Sequence, residues 1–107
     1  MKQLTKAEED IMQVLWQLEK ANVKAIIDVL PTPKPAYNTV STIVRILENK
    51  KFIKHKKKGK GYIYLPKITK DEYRDYLAKW LLEQYFDCSN QAIVDHFNRS
   101  KQLDELL

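Results

Sequence analysis

Both glycines of this 107-residue chain, Gly59 and Gly61, fall inside one run, Lys57-Lys58-Gly59-Lys60-Gly61. On either side stand Phe52–Lys56 and Tyr62–Leu65, short segments that alternate or are rich in β-branched and aromatic residues. Glycine reaches positive φ without steric cost, so the arrangement predicts a β-hairpin with a lysine-rich, glycine-bearing tip. Pro66 has no N–H to give to a ladder and closes the second strand.

The 51 residues before the hairpin read as three helices. Leu4-Thr5-Lys6-Ala7-Glu8 has Thr-x-x-Glu spacing, a capping box that satisfies two orphan backbone donors. Behind it Ala7, Ile11, Val14, Leu15 and Leu18 recur at helical spacing, with Glu8, Glu9, Gln13 and Glu19 on other faces. Asn22 is placed to cap a short second helix whose stripe is Val23, Ile26, Ile27 and Leu30. Pro31, Pro33 and Pro35 end it. A third helix is expected over about 36–50, with Val40, Ile43, Val44 and Leu47 turned inward.

The opposite face of that third helix carries Asn38, Ser41, Thr42, Arg45 and Asn49. Solvent-facing helix surfaces ordinarily favour Glu, Lys and Gln, because Ser, Thr and Asn are poorer helix formers. Short hydrogen-bonding side chains let a backbone approach a partner closely, and one Arg can reach past them. The plainer alternative is a helix merely poor in charge.

Charge placement points the same way. The chain is +5 overall, yet residues 50–60 hold seven lysines and no acid, which leaves the other 96 residues at −2. An internal cationic stretch flanked by apolar runs fits a polyanion-facing surface better than an ordinary solvated loop. The order helix, short helix, polar-faced helix, basic hairpin is that of a winged helix-turn-helix. In such a module the third helix enters the major groove, where Arg45 can fork onto guanine or clamp a phosphate. Asn38 in its first turn sits near N–H groups that bind phosphate. If three to five wing lysines neutralise phosphates, the log–log salt slope of binding should be about −3 to −5 per protomer.

Three segments carry a family resemblance: Leu4-Thr5-Lys6-Ala7-Glu8 with Ile11-Met12 and Leu15-Trp16; Tyr37-Asn38-Thr39-Val40-Ser41-Thr42 with Arg45 and Leu47-Glu48-Asn49-Lys50; and Tyr62, Tyr64-Leu65-Pro66. Together they resemble the penicillinase-repressor (BlaI/MecI/CopY) family of winged-helix transcriptional regulators, over essentially residues 1–100 and most specifically in the first 66. The resemblance implies a mainly α fold with a small β-hairpin wing, followed by C-terminal dimerisation helices. Residues 1–66 would be the DNA-binding domain and 67–107 the helical dimerisation region. It implies a homodimeric repressor on a palindromic operator in double-stranded DNA. Tyr37, Asn38, Thr39, Ser41, Thr42 and Arg45 match the recognition-helix positions, and Lys56, Lys57, Lys58 and Lys60 match the wing.

Beyond Pro66, Thr69-Lys70-Asp71-Glu72 forms a second capping box and opens a helix of about 17 residues. It carries more large apolar surface than a lone appendage should expose. In the family the C-terminal helices exchange contacts between protomers, and Tyr76, Trp80, Leu81, Tyr85, Phe86, Ile93 and Phe97 have too few partners within one short tail. Ser89 and Ser100 could cap two further short helices, the second presenting Leu103, Leu106 and Leu107. Antibiotic-responsive relatives are inactivated by cleavage in this region, and Asp95-His96-Phe97-Asn98 stands at the comparable place, which extends the resemblance to a sensor protease as partner.

Several chemistries have no residues to carry them. Copper-responsive relatives use a C-terminal cysteine cluster, whereas this chain has only Cys88, so no metal and no cofactor is expected. Cys88 reads as a structural thiol, and His55 as a half-exposed strand histidine or a phosphate contact. Asp71, Glu72 and Asp75 suit dipole complementation at a helix start. No nucleophile stands with a plausible base, and residues 49–70 contain no acid, so an enzyme is not expected. No apolar run approaches the roughly 20 residues of a membrane span. The segment MKQLTKAEED lacks an apolar h-region, so a reducing cytoplasm is the expected location. The alternative function is a winged-helix protein-interaction module whose lysines meet an acidic partner. The Ser/Thr/Asn/Arg face disfavours it, because protein interfaces prefer aromatic anchors there.

Overall fold

The computed structural model describes the backbone of residues 1–106 and the side chains of residues 1–100. These form α1 (Lys6–Leu18), α2 (Val23–Val29), α3 (Tyr37–Asn49), β1 (Ile53–Lys58), β2 (Gly61–Pro66), α4 (Lys70–Tyr85) and α5 (Asn90–Leu106). The chain divides into two compact units, Met1–Tyr73 and the residues from Arg74 on. Among the described residues no helix is long and apolar enough to cross a membrane.

In the first unit α1 and α2 start where their caps predict. Thr5 Oγ1 accepts from the Glu8 amide at 3.2 Å, and Glu8 Oε1 accepts from the Thr5 amide at 2.8 Å. Asn22 Oδ1 accepts from the Ala25 amide at 2.8 Å and opens α2. Lys34 folds back from the proline-rich turn and donates to the carbonyls of Asp28 and Leu30, closing the other end of α2. The core joins Ile11, Met12 and Leu15 of α1, Ile26 of α2, Val40, Val44 and Leu47 of α3, and Phe52 and Ile53.

One face of α1 differs from the expected stripe. Ala7 is exposed, while Glu8 and Met12 lie inside. A methyl group gains little from burial, whereas Met12 fills the core with a long side chain. Glu8 is admitted because a cation meets it: Lys50 Nζ lies 2.9 Å from Oε1 and 2.8 Å from Oε2. Lys50 is thereby withdrawn from the basic cluster to which the sequence assigned it.

The strands of the hairpin are longer and its turn tighter than expected. Lys58 pairs with Gly61, leaving Gly59 and Lys60 as a two-residue turn. Only Gly59 has positive φ, at 62°, the pattern of a turn that places glycine first. The hairpin is held laterally by a bridge from the α1–α2 connection: the Ala21 amide donates to Tyr64 O at 3.0 Å and the Tyr64 amide to Ala21 O at 2.8 Å.

The second capping box also forms, between Thr69 and Glu72. It aims the first turn of α4 back at α1. Tyr73 is buried edge-on to Phe52, ring centroids 5.7 Å apart, and its hydroxyl accepts from the Leu4 amide at 2.7 Å. Trp16 Nε1 donates to Ile68 O at 2.9 Å, which makes the indole a structural anchor.

The second unit consists of the rest of α4 and of α5. Ser89 Oγ accepts from the Ala92 amide at 3.1 Å and caps α5 as expected. Ser100 caps nothing: α5 runs through it, and its hydroxyl donates to Phe97 O at 2.9 Å inside the same helix. A serine whose hydroxyl is satisfied by the preceding turn has no reason to end the helix. The side chains of Leu103, Leu106 and Leu107 lie outside the described residues. Cys88 is exposed at φ 60° in the turn between the helices, not packed as a core thiol.

Candidate nucleic-acid interface

The polar face of α3 follows from its buried one. Val40, Val44 and Leu47 turn inward, which leaves Asn38, Thr39, Thr42, Arg45 and Asn49 exposed and Ser41 half-buried. Thr42 Oγ1 donates to Asn38 O at 2.9 Å, so its lone pairs remain available to a donor outside the helix. Arg45 lies along the same surface with Nη2 3.4 Å from Ser41 Oγ. The N-cap residue, Ala36, offers no side-chain acceptor, so the first amides of α3 have no side-chain cap.

Beside this face runs a groove of about 690 Å³ between α3, the start of α2 and the hairpin. From α3 it takes Tyr37, Ser41 and Arg45, and from the hairpin Lys58, Lys60, Tyr62 and Tyr64. Asn22 and Lys24 complete it from α2. Its lining thus holds four cationic side chains (Lys24, Arg45, Lys58 and Lys60) and no acidic one. Such a concave cationic surface with hydroxyls and an Asn amide suits a sugar–phosphate backbone.

The sequence-predicted residues divide around this groove. Tyr37, Ser41, Arg45, Lys58 and Lys60 come together in it, whereas Asn38, Thr39 and Thr42 stand exposed on α3 outside its lining. The wing lysines do not share one face. Lys57 pairs across the strands with Tyr62, in the set that includes His55 and Tyr64, while Lys56 pairs with Ile63 and Lys58 with Gly61 in the other set. Lys24, Tyr62 and Tyr64 were missed by sequence reasoning. The two tyrosines had a signal in the strand alternation. Lys24 had none, because only the packing of α2 against α3 brings it here.

The hairpin is fastened to α3 by a contact that the sequence did not reveal. His55 Nδ1 of β1 pairs with Glu48 Oε2 of α3, and the imidazole stands edge-on to Tyr62 at 5.0 Å and Tyr64 at 6.3 Å. His55 is thus a link between wing and helix. Burial, reinforced by the nearby Glu48 carboxylate, pushes the Tyr64 phenol above its ordinary value and keeps it a neutral donor.

The residues expected at a dimer interface lie in the second unit. Tyr76, Trp80, Leu81, Phe86 and Ile93 are half-buried, and Tyr85 and Phe97 are exposed. Trp80 stands edge-on to Tyr85 at 5.5 Å, and Phe86 stands edge-on to His96, also at 5.5 Å. Among the described residues from Arg74 to Ser100, no side chain reaches the burial of the first unit's core.

Comparison with known proteins agrees with this geometry. A family model described as penicillinase repressor matches residues 4–106. The penicillinase repressor of Bacillus licheniformis is 26% identical over 102 residues, covering 94% of this chain and 80% of the relative. That of Staphylococcus aureus is 22% identical over 95% of this chain and 82% of its own length. Among solved structures, the DNA-binding domain of the repressor BlaI is similar with TM-score 0.58 and 29% identity, over 66% of this chain and 88% of that one. The Bacillus licheniformis BlaI monomer in complex with the blaP half-operator is similar with TM-score 0.56 and 27% identity, over 67% and 89% of the two chains. A match of this extent, on a polar-faced third helix set beside a cationic hairpin, shows that the chain belongs to the penicillinase repressor family of winged-helix, DNA-binding transcriptional regulators.

Proposed function

We propose that this protein represses transcription by binding a palindromic operator as a homodimer, with α3 in the major groove and the wing along the neighbouring backbone. The observation that carries the reading is the groove in which Tyr37, Ser41 and Arg45 of α3 meet Lys58 and Lys60 of the wing on one solvent side. A duplex laid against that side meets base-edge donors from the helix and cations from the hairpin at once. That a relative at 27% identity is solved in complex with a half-operator supports operator DNA as the partner.

Dimerisation is assigned to the second unit. Aromatic side chains that stay half-exposed along α4 and α5 gain a buried environment if a second copy covers them. Two recognition helices would then meet successive major grooves about one helical turn, roughly 34–36 Å, apart. All four residues of Asp95-His96-Phe97-Asn98 are exposed, which supports relief of repression by a sensor protease cutting there.

The test is selection of bound sites from a random DNA pool. An inverted repeat with half-sites one turn apart is the expected outcome. Recovery of unrelated sequences, or of single half-sites only, would remove the palindrome and the dimer from the reading.

A further inference from the structure

A helix in the major groove lies between two phosphate backbones across a groove about 12 Å wide, and in the docking proposed above the wing meets only one of them. The residues on the other flank of α3 therefore bear on how the protein grips DNA. With Val40, Val44 and Leu47 inward, helical periodicity puts Ser41 and Glu48 on the wing side and Thr39 and Ile46 on the far side. On that far side lies a hollow of about 400 Å³ lined by Met1, Lys2, Ile46, Asn49, Lys50 and Lys51, with no acidic residue in its lining.

The three lysines are not equivalent. Lys50 is held by Glu8, so its charge is already compensated. Lys2 and Lys51 are exposed. Lys51 has φ 67°, a left-handed residue at the point where the chain leaves α3 for β1. Ile46 is 41% exposed, an uncommon placement for a β-branched apolar residue on a helix surface. Next to Asn49 it offers an apolar floor and an amide, a combination that fits deoxyribose beside a phosphate.

We propose that Lys2 and Lys51 form a second phosphate-contacting edge, on the flank of α3 opposite the wing, with Ile46 packing against the sugar between them. The proposal rests on the docking described above and extends it to the second strand of the same half-site. It makes recognition a two-sided clamp: the wing cations hold one backbone, Lys2 and Lys51 hold the other, and the polar face of α3 is held level between them.

The test is a titration of the full chain with a random-sequence duplex by fluorescence anisotropy across a series of KCl concentrations. The variant Lys2→Gln/Lys51→Asn removes both charges, and Asn tolerates the left-handed backbone at position 51. Each phosphate contact adds about 0.9 to the log–log salt slope, so the slope should become shallower by about 2, with equal weakening on every duplex and an unchanged thermal melt. A slope that stays the same, while Lys58→Gln/Lys60→Gln reduces it, would overturn this edge and leave the wing's role standing. Absence of binding to any duplex by the unsubstituted chain would overturn the docking and the edge together.

Discussion

The Lys50 ammonium at the end of α3 lies 2.9 Å from the buried Glu8 carboxylate in the first turn of α1. That one ion pair joins the end of α3 to the capping box of α1. Lys50 is the C-cap of α3, the point from which the chain turns toward the wing.

Burial alone would raise the pKa of Glu8. The hydrogen bond from Lys50, those from the Thr5 amide and hydroxyl, and the charge of Lys50 outweigh it and hold the carboxyl below its ordinary value. A depressed carboxyl contributes stability that is present above the unfolded value of about 4.3 and lost as pH falls through the folded one. Glu8→Gln should therefore destabilise the fold by about 1.5–3 kcal/mol at pH 7. The gap should narrow as the pH falls from the ordinary carboxylate value through the lower folded one. Urea denaturation at pH 7 and at successively lower pH checks this, and a gap that stays constant would contradict it.

Arg45 stands exposed on α3 and lines the cationic groove. Arg45→Ala should cost about 1–3 kcal/mol of operator affinity and broaden the preference at one base pair. Titration against single-base operator variants measures both effects. Unchanged affinity would remove Arg45 from the interface.

Lys58 and Lys60 share that groove, but neither has a fixed partner among the described residues. Replacing both by Gln should lower affinity for all duplexes alike and make the salt slope shallower by about 2. Weakening confined to the operator would instead mean that they read sequence.

Trp80 stands at the centre of the half-exposed apolar stripe of α4. Trp80→Ala should weaken self-association by about 2 kcal/mol, close to thirtyfold. Sedimentation equilibrium reads this directly, and an unaltered monomer–dimer balance would move the interface elsewhere.

How much of this was legible beforehand depended on distance along the chain. The caps Thr5, Asn22, Thr69 and Ser89 act on amides three residues away, so their motifs suffice. The inward stripe of α3 and the turn at Gly59 are equally local. Ala7 and Glu8 exchanged places because hydropathy counts a carboxylate as a surface group unless its cation is known, and that cation is 42 residues away.

The sequence by itself determined the helices, the hairpin and the uncharged polar side of α3, since each follows from periodicity and backbone sterics over a few residues. Only the tertiary structure decided which lysines gather in the groove beside α3. It paired Lys50 with Glu8, brought Lys24 to the groove, split the wing lysines between two faces and tied His55 to Glu48. Charge carries no direction along a sequence. A lysine becomes a phosphate contact only when folding leaves its ammonium unpaired and aimed at the same side as its neighbours.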